Sequence, residues 1–97
     1  VSGAARYSGA MTPDADAIQA QILQQTAARG PEKSICPSEV ARALAPEEAA
    51  WRALMGKVRD AALRLAREGR VEVLRKGKPV DVQQEVRGVI RLRAVKP

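Results

Sequence analysis

The stretch Ala50 to Glu68, AWRALMGKVRDAALRLARE, constrains this chain more than any other part of it. Advancing about 100° per residue sets Trp51, Leu54, Met55, Val58, Ala62 and Leu65 on one face. Arg52, Lys57, Arg59, Asp60, Arg64 and Arg67 fall on the other. The stretch therefore reads as an amphipathic helix with an apolar stripe and a basic outer face. Gly69 follows directly, at the position where helices commonly turn left-handed and stop. The period then changes: Val71 and Val73 alternate with Glu72, the spacing of a half-buried strand. A basic helix that leaves through glycine into a strand predicts a recognition helix followed by a wing.

The rest of the chain fits around that element. Asp14 or Asp16 is placed to cap a first helix, running to about Arg29 and ended by Gly30-Pro31. Ile18, Ile22, Leu23 and Thr26 share its inner side. Ser34-Ile35 is long enough only for a very short extended segment. A second helix opens at Pro37-Ser38-Glu39, with Cys36 at the N-cap and acidic Glu39 near the positive end of the dipole. Val40, Ala41 and Leu44 form its apolar stripe, and it stops before Pro46. Glu47-Glu48 then begins the long helix. Beyond Gly69, strands are expected at Val71 to Arg75 and at about Val89 to Ala94. Val71, Val73, Ile90 and Leu92 would face inward, and Glu72, Arg91 and Arg93 outward, where opposite charges can pair across strands. Lys76 to Gly88 is long for a tight hairpin and reads as an extended wing. The expected fold is α+β: a winged helix-turn-helix, three helices followed by a two-stranded antiparallel β-hairpin. It occupies residues 13–97, with Ser-, Gly- and Ala-rich residues 1–12 as a disordered tail.

Composition narrows the chemistry. A chain of 97 residues with no Phe, one Trp and one Tyr must build its core from Leu, Ile, Val and Ala. Trp51 is expected to be the largest anchor of that core. No apolar run approaches the roughly 20 residues needed to cross a bilayer, and the N-terminus lacks the apolar region of a secretory signal. The expectation is a soluble cytoplasmic protein without a membrane partner. The chain has no His and a single cysteine, Cys36. That removes His-containing zinc sites and the Ser-His and Cys-His nucleophile pairs. No acid–base pair or nucleophile system stands out, so neither an enzyme nor a metal or cofactor site is expected. Lys76-Gly77-Lys78 lacks the spacing and strand-then-helix context of a P-loop. Cys36 reads as a buried structural cysteine rather than a redox sensor.

Charge points to the partner. The net charge of +6 is unevenly spread: residues 1–56 hold five Lys/Arg and six Asp/Glu, and residues 57–97 hold twelve and five. The second part alone thus carries +7, an asymmetry that suits an anionic partner. In winged folds the N-terminal half of the last helix enters the major groove. Here that half offers Arg52, Lys57 and Arg59, with small Ala53 and Gly56 between them. Arg75, Lys76 and Lys78 form a basic, glycine-containing loop suited to phosphate backbone. The expected partner is double-stranded DNA, with those six cations as the contact set. The alternative is a protein-interaction module with an acidic protein partner. It is favoured by the lack of Asn, His, Ser and Thr on the presumed reading face, and an apolar patch around Leu63 and the wing would support it. Single-stranded RNA is disfavoured because no surface aromatics are available to stack bases. The oligomeric state is left open, because helix one is already needed for the core.

Several blocks carry a resemblance. Ser34-Ile35-Cys36-Pro37-Ser38-Glu39-Val40-Ala41-Arg42, Trp51-Arg52-Ala53-Leu54-Met55, Glu68-Gly69-Arg70-Val71, Lys76-Gly77-Lys78-Pro79-Val80-Asp81 and Gly88-Val89-Ile90-Arg91-Leu92 resemble a small bacterial family known only as a domain of unknown function. The likeness covers about Ala17 to Arg93. It implies a winged-helix domain from a bacterial cytoplasm and brings no activity, cofactor or catalytic residue with it. Leu65 to Val71 is also similar, more loosely, to the helix-glycine-wing segment of bacterial regulators, and a shared fold does not fix a function.

Overall fold

Residues 13–96 are described in the computed structural model of the protein, so the tail expected over residues 1–12 lies outside them. The first helix, α1 (Ala15–Arg29), starts at Asp14, whose Oδ1 accepts from the Ala17 amide at 2.9 Å. That bond satisfies one of the donors a helix start leaves open. Ile18, Ile22 and Thr26 are its buried residues, one turn apart. Thr26 enters the core without an orphaned hydroxyl, because its Oγ1 donates to the Ile22 carbonyl at 2.9 Å. After Gly30 the chain makes β1 (Ser34–Ile35) and then α2 (Pro37–Leu44), N-capped by Cys36. Glu39 reaches back over that first turn, and its Oε2 accepts from the Cys36 amide at 2.8 Å.

The long helix, α3 (Glu48–Arg67), ends as its glycine requires. Gly69 has φ +77°, its amide donates to Ala66 at 3.0 Å, and the Arg70 amide donates to Leu65 at 2.9 Å. This paired return is a Schellman motif, and it turns the chain straight into β2 (Val71–Arg75).

The sheet is richer than the expected two-stranded hairpin. With β3 (Lys78–Pro79) and β4 (Arg91–Ala94) it has four strands, ordered β1-β4-β2-β3 and antiparallel at every pairing. The architecture is α+β, three helices and a four-stranded antiparallel sheet, compatible with a winged-helix-like fold. Ser34 and Ile35 pair with Arg93 and Leu92, so β1 exists only because β4 lies beside it. Glu72 and Arg93 are in register across β2 and β4, and Arg93 Nε donates to Glu72 Oε1 at 2.8 Å, the expected opposite-charge pair.

Two expectations need correction here. The segment after β2 is not an extended wing. Lys76 and Gly77, at φ +53° and +83°, form a two-residue turn between paired Arg75 and Lys78. Positive φ at both central positions marks a type I′ turn, whose twist matches that of its strands. The chain from Val80 then folds back against α3, with Val80, Val82 and Val86 packed on the core. The last strand begins at Arg91 rather than Val89, and Val89 is 82% exposed.

The core lies between the helices and the inner face of the sheet. Ile22, Val40, Val58, Leu65 and Leu92 are fully enclosed, and Val71, Val73 and Ile90 line the sheet side as expected. Trp51 is not the central anchor. It is only partly buried, between Arg42 and Arg52, whose guanidinium carbons lie 4.5 and 5.0 Å from the ring centroid. Leu54 and Val58 fill the interior behind it, and the ring's amphipathic edge suits the boundary.

Candidate nucleic-acid interface

The outer face of α3 carries the first part of the expected contact set. Arg52 is exposed and paired with Glu48, four residues earlier, at 2.8 Å. Lys57 is exposed, and among the described residues it makes no ion pair or side-chain hydrogen bond. Ala53 and Gly56 beside it are exposed too, which leaves the helix backbone open to close approach.

Arg59 does not extend into solvent. Its guanidinium crosses to the segment before β4, donating from Nη1 to the Gly88 carbonyl at 2.8 Å and from Nη2 to the Val86 carbonyl. Two turns further on, Arg67 Nε donates to the Val82 carbonyl at 3.2 Å. Residues eight apart lie on the same side of a helix. These two arginines therefore hold residues 82–88 along one flank of α3.

Arg75 meets the same junction from the sheet. It is half-buried, its Nε is enclosed without a hydrogen-bond partner, and its Nη2 lies 2.8 Å from where a side chain on Gly88 would begin. A side chain at Gly88 would have to displace that flexible guanidinium, and at φ +84° it would also be strained. Gly88 is thus where α3, β2 and the returning segment meet. Arg59 of α3 and Arg75 of β2 both reach the same glycine, the first by a hydrogen bond and the second by close approach.

Lys76 and Lys78, at the tip of that hairpin, are exposed and have no ion pair among the described residues. The sequence-expected set therefore divides. Lys57, Lys76 and Lys78 are available to an outside partner, Arg52 is held in a weak surface pair, and Arg59 and Arg75 face the junction. Arg64 and Asp60 are exposed on the same α3 face as Lys57 and equally unpaired. The sequence placed both on the outer face of the helix. The groove-entry rule for winged folds singles out only the N-terminal half of the helix, and Asp60 and Arg64 lie beyond it.

Two hollows border the interface. One, of about 550 Å³, lies between the first turn of α1 and α3 and is lined by Lys57, Asp60, Leu63, Arg64 and Arg67 among others. The other, of about 330 Å³, is lined by Cys36, Pro37, Met55, Gly56, Val89 and Ile90 among others. Cys36 is half-buried rather than fully buried, and its Sγ accepts from the Ser38 hydroxyl at 3.2 Å. Leu63 is partly buried against the core, so it does not form an exposed apolar patch. Among the described residues, no group of three His, Cys, Asp or Glu side chains is arranged to hold a metal ion, and no helix is long and apolar enough to cross a membrane.

Comparison with known proteins agrees with the sequence resemblance. The family described as "Protein of unknown function (DUF3253)" matches residues 15–95. No curated protein matches the chain.

Proposed function

The chain belongs to the DUF3253 family, whose description assigns no activity, and from its own surface we propose that it binds double-stranded DNA as a winged-helix protein, in the manner of a transcriptional regulator or accessory factor. In this reading α3 lies in the major groove and the β2–β3 hairpin rests on the phosphate backbone. The observation that carries it is the backbone at Lys76. A type I′ turn favours Asn or Gly at its first central position, because an L side chain there is strained by about 1–2 kcal/mol. Lys76 nevertheless occupies that position at φ +53°. A strained residue that offers a cation at an exposed tip has a use outside the fold. Lys57 and Arg64, unpaired on the outer face of α3, add to the same field.

Arg59 and Arg75 have a different part in this reading from the one the sequence suggests. Arg59 ties the segment before β4 to α3 at Gly88, and Arg75 packs against the same glycine from β2, so in this reading both serve the spacing of helix and hairpin. Rigid spacing of that kind lets two elements engage neighbouring parts of one duplex at once.

The test is fluorescence anisotropy of the full chain on a mixed-sequence duplex over a series of salt concentrations. Lys76 and Lys78 on backbone phosphate contribute about −2 to the expected slope of log affinity against log salt. Replacing Lys76 and Lys78 by Ala should reduce the size of that slope by about two. No binding at low salt, or a slope unmoved by the double replacement, refutes the proposal.

One observation favours a second reading, an acidic protein partner on the same scaffold. Val89 is 82% exposed at the rim of the apolar groove beside Met55 and Pro37. Exposed apolar surface next to basic residues suits an acidic amphipathic segment. Loss of duplex binding at every salt concentration would leave that reading standing.

A further inference from the structure

We infer that the row Lys57, Asp60 and Arg64 on α3 selects G·C base pairs in the major groove, an inference that rests on the DNA-binding reading above. Spacings of three and four residues align these side chains on one helix face. All three are exposed, and none forms an ion pair or side-chain hydrogen bond among the described residues. Asp60 stands one turn from both cations, and Asp60 and Arg64 are spaced to pair, yet the carboxylate bonds neither. A row of donor, acceptor and donor is therefore presented outward without a partner from the chain itself among the described residues. Ala53 and Gly56 flank it without bulk. At about 1.5 Å of rise per residue, Lys57 and Arg64 are about 10 Å apart along the axis, roughly three base-pair steps of about 3.4 Å.

The chemistry of the row favours one kind of pair. In the major groove guanine shows two adjacent acceptors, N7 and O6, which suit the fork of an arginine. Cytosine shows a lone donor, N4, which suits a carboxylate. Adenine sets an acceptor, N7, beside its N6 donor and is matched by a group that both accepts and donates, an Asn or Gln side chain. α3 contains neither residue. At adenine N6 a carboxylate on Asp60 would lie between two acceptors, N7 and thymine O4, whereas at cytosine N4 it has a single acceptor neighbour, guanine O6. Arg64 and Lys57 meet their best partner in guanine, so the three groups, spread over about three steps, favour the same kind of base pair.

The experiment uses the full chain and two duplexes of equal length, one wholly G·C and one wholly A·T, both of mixed order without A-tracts. Anisotropy is read across a salt series with the wild-type chain and the Asp60→Asn variant. Both duplexes should bind at low salt through phosphate. The G·C duplex should bind about tenfold tighter or more, and this ratio should persist as salt weakens the phosphate contacts. Asp60→Asn removes a negative charge and supplies an amide that can read adenine. It should raise affinity for both duplexes and reduce the ratio to about threefold or less. Equal affinity for the two duplexes overturns the inference and leaves DNA binding intact. So does a ratio unchanged by Asp60→Asn, which would make Asp60 only a source of repulsion. No binding to either duplex at low salt removes the DNA-binding reading itself, and the inference with it.

Discussion

Replacing Arg59 by Ala tests whether this cation belongs to the fold more than to the partner surface. The side chain donates to the carbonyls of Val86 and Gly88, 27 and 29 residues further along the chain. Hydrogen bonds to a charged donor contribute about 1.5–3 kcal/mol each when shielded. The Gly88 bond is exposed and the Val86 bond is part-buried, so water can replace much of what the carbonyls lose. Discounted for that solvent access, the two bonds together are worth about 1.5–2 kcal/mol. For a domain of this size each kcal/mol moves Tm by roughly 4–8 °C, which gives a fall of roughly 6–16 °C. Arg52→Ala is the control, because it removes only exposed contacts, a pair to Glu48 worth about 0.3–0.5 kcal/mol and a stack on Trp51 worth about 0.5–1 kcal/mol. Urea unfolding followed by far-UV circular dichroism compares the two without relying on Trp51, whose ring both Arg52 and Arg42 cover. Hydrogen exchange should also quicken at the amides of residues 82–88 in the Arg59 variant. Arg59→Lys should recover less than half the loss, since a point charge cannot fork between two carbonyls. If Arg59→Ala costs no more than Arg52→Ala, the junction at Gly88 does not hold the segment, and the reasoning fails.

Lys76→Asn should stabilise the protein by about 0.5–1 kcal/mol, by easing the positive-φ strain of the turn, while weakening duplex binding. Thermal unfolding and anisotropy on the same variant would check both halves, and a stability loss would refute the assigned turn strain. Leu65→Ala should cost about 2–5 kcal/mol, because Leu65 is completely enclosed under the sheet. Against a total stability of roughly 5–15 kcal/mol this should appear as a large drop in urea midpoint, and a cost under about 1 kcal/mol would contradict the burial.

Much of the fold was legible along the chain because its signals are local. The apolar spacing in Ala50 to Glu68, the Asp14 cap and the glycines at 30 and 69 each act within a turn or two of their own position. Those rules place all three helices and the start of β2 without reference to distant residues. The alternation of Val71, Glu72 and Val73 assigns an inner and an outer face. It also anticipated the pairing of Glu72 with Arg93, once β4 was expected to lie alongside.

What only the tertiary structure decided is the fate of groups whose partners lie far away in sequence. Ser34-Ile35 is a strand because Arg93 and Leu92 supply its hydrogen bonds, and two residues carry no period of their own. Segment 76–88 reads as one long wing by its length alone. Lys76-Gly77 closes as a tight turn instead, and the freed residues are drawn back by Arg59 and Arg67 onto α3. Trp51 shares the apolar face of α3 but lies near its start, where it is only partly buried and Arg42 and Arg52 lie over its ring. The helical wheel cannot show that position. The candidate site divides in the same way. Sequence supplies the sign of the charge on α3 and the hairpin, because composition fixes charge. Which cations remain free depends on whether a carbonyl from elsewhere in the chain comes within reach, and that is set by packing alone.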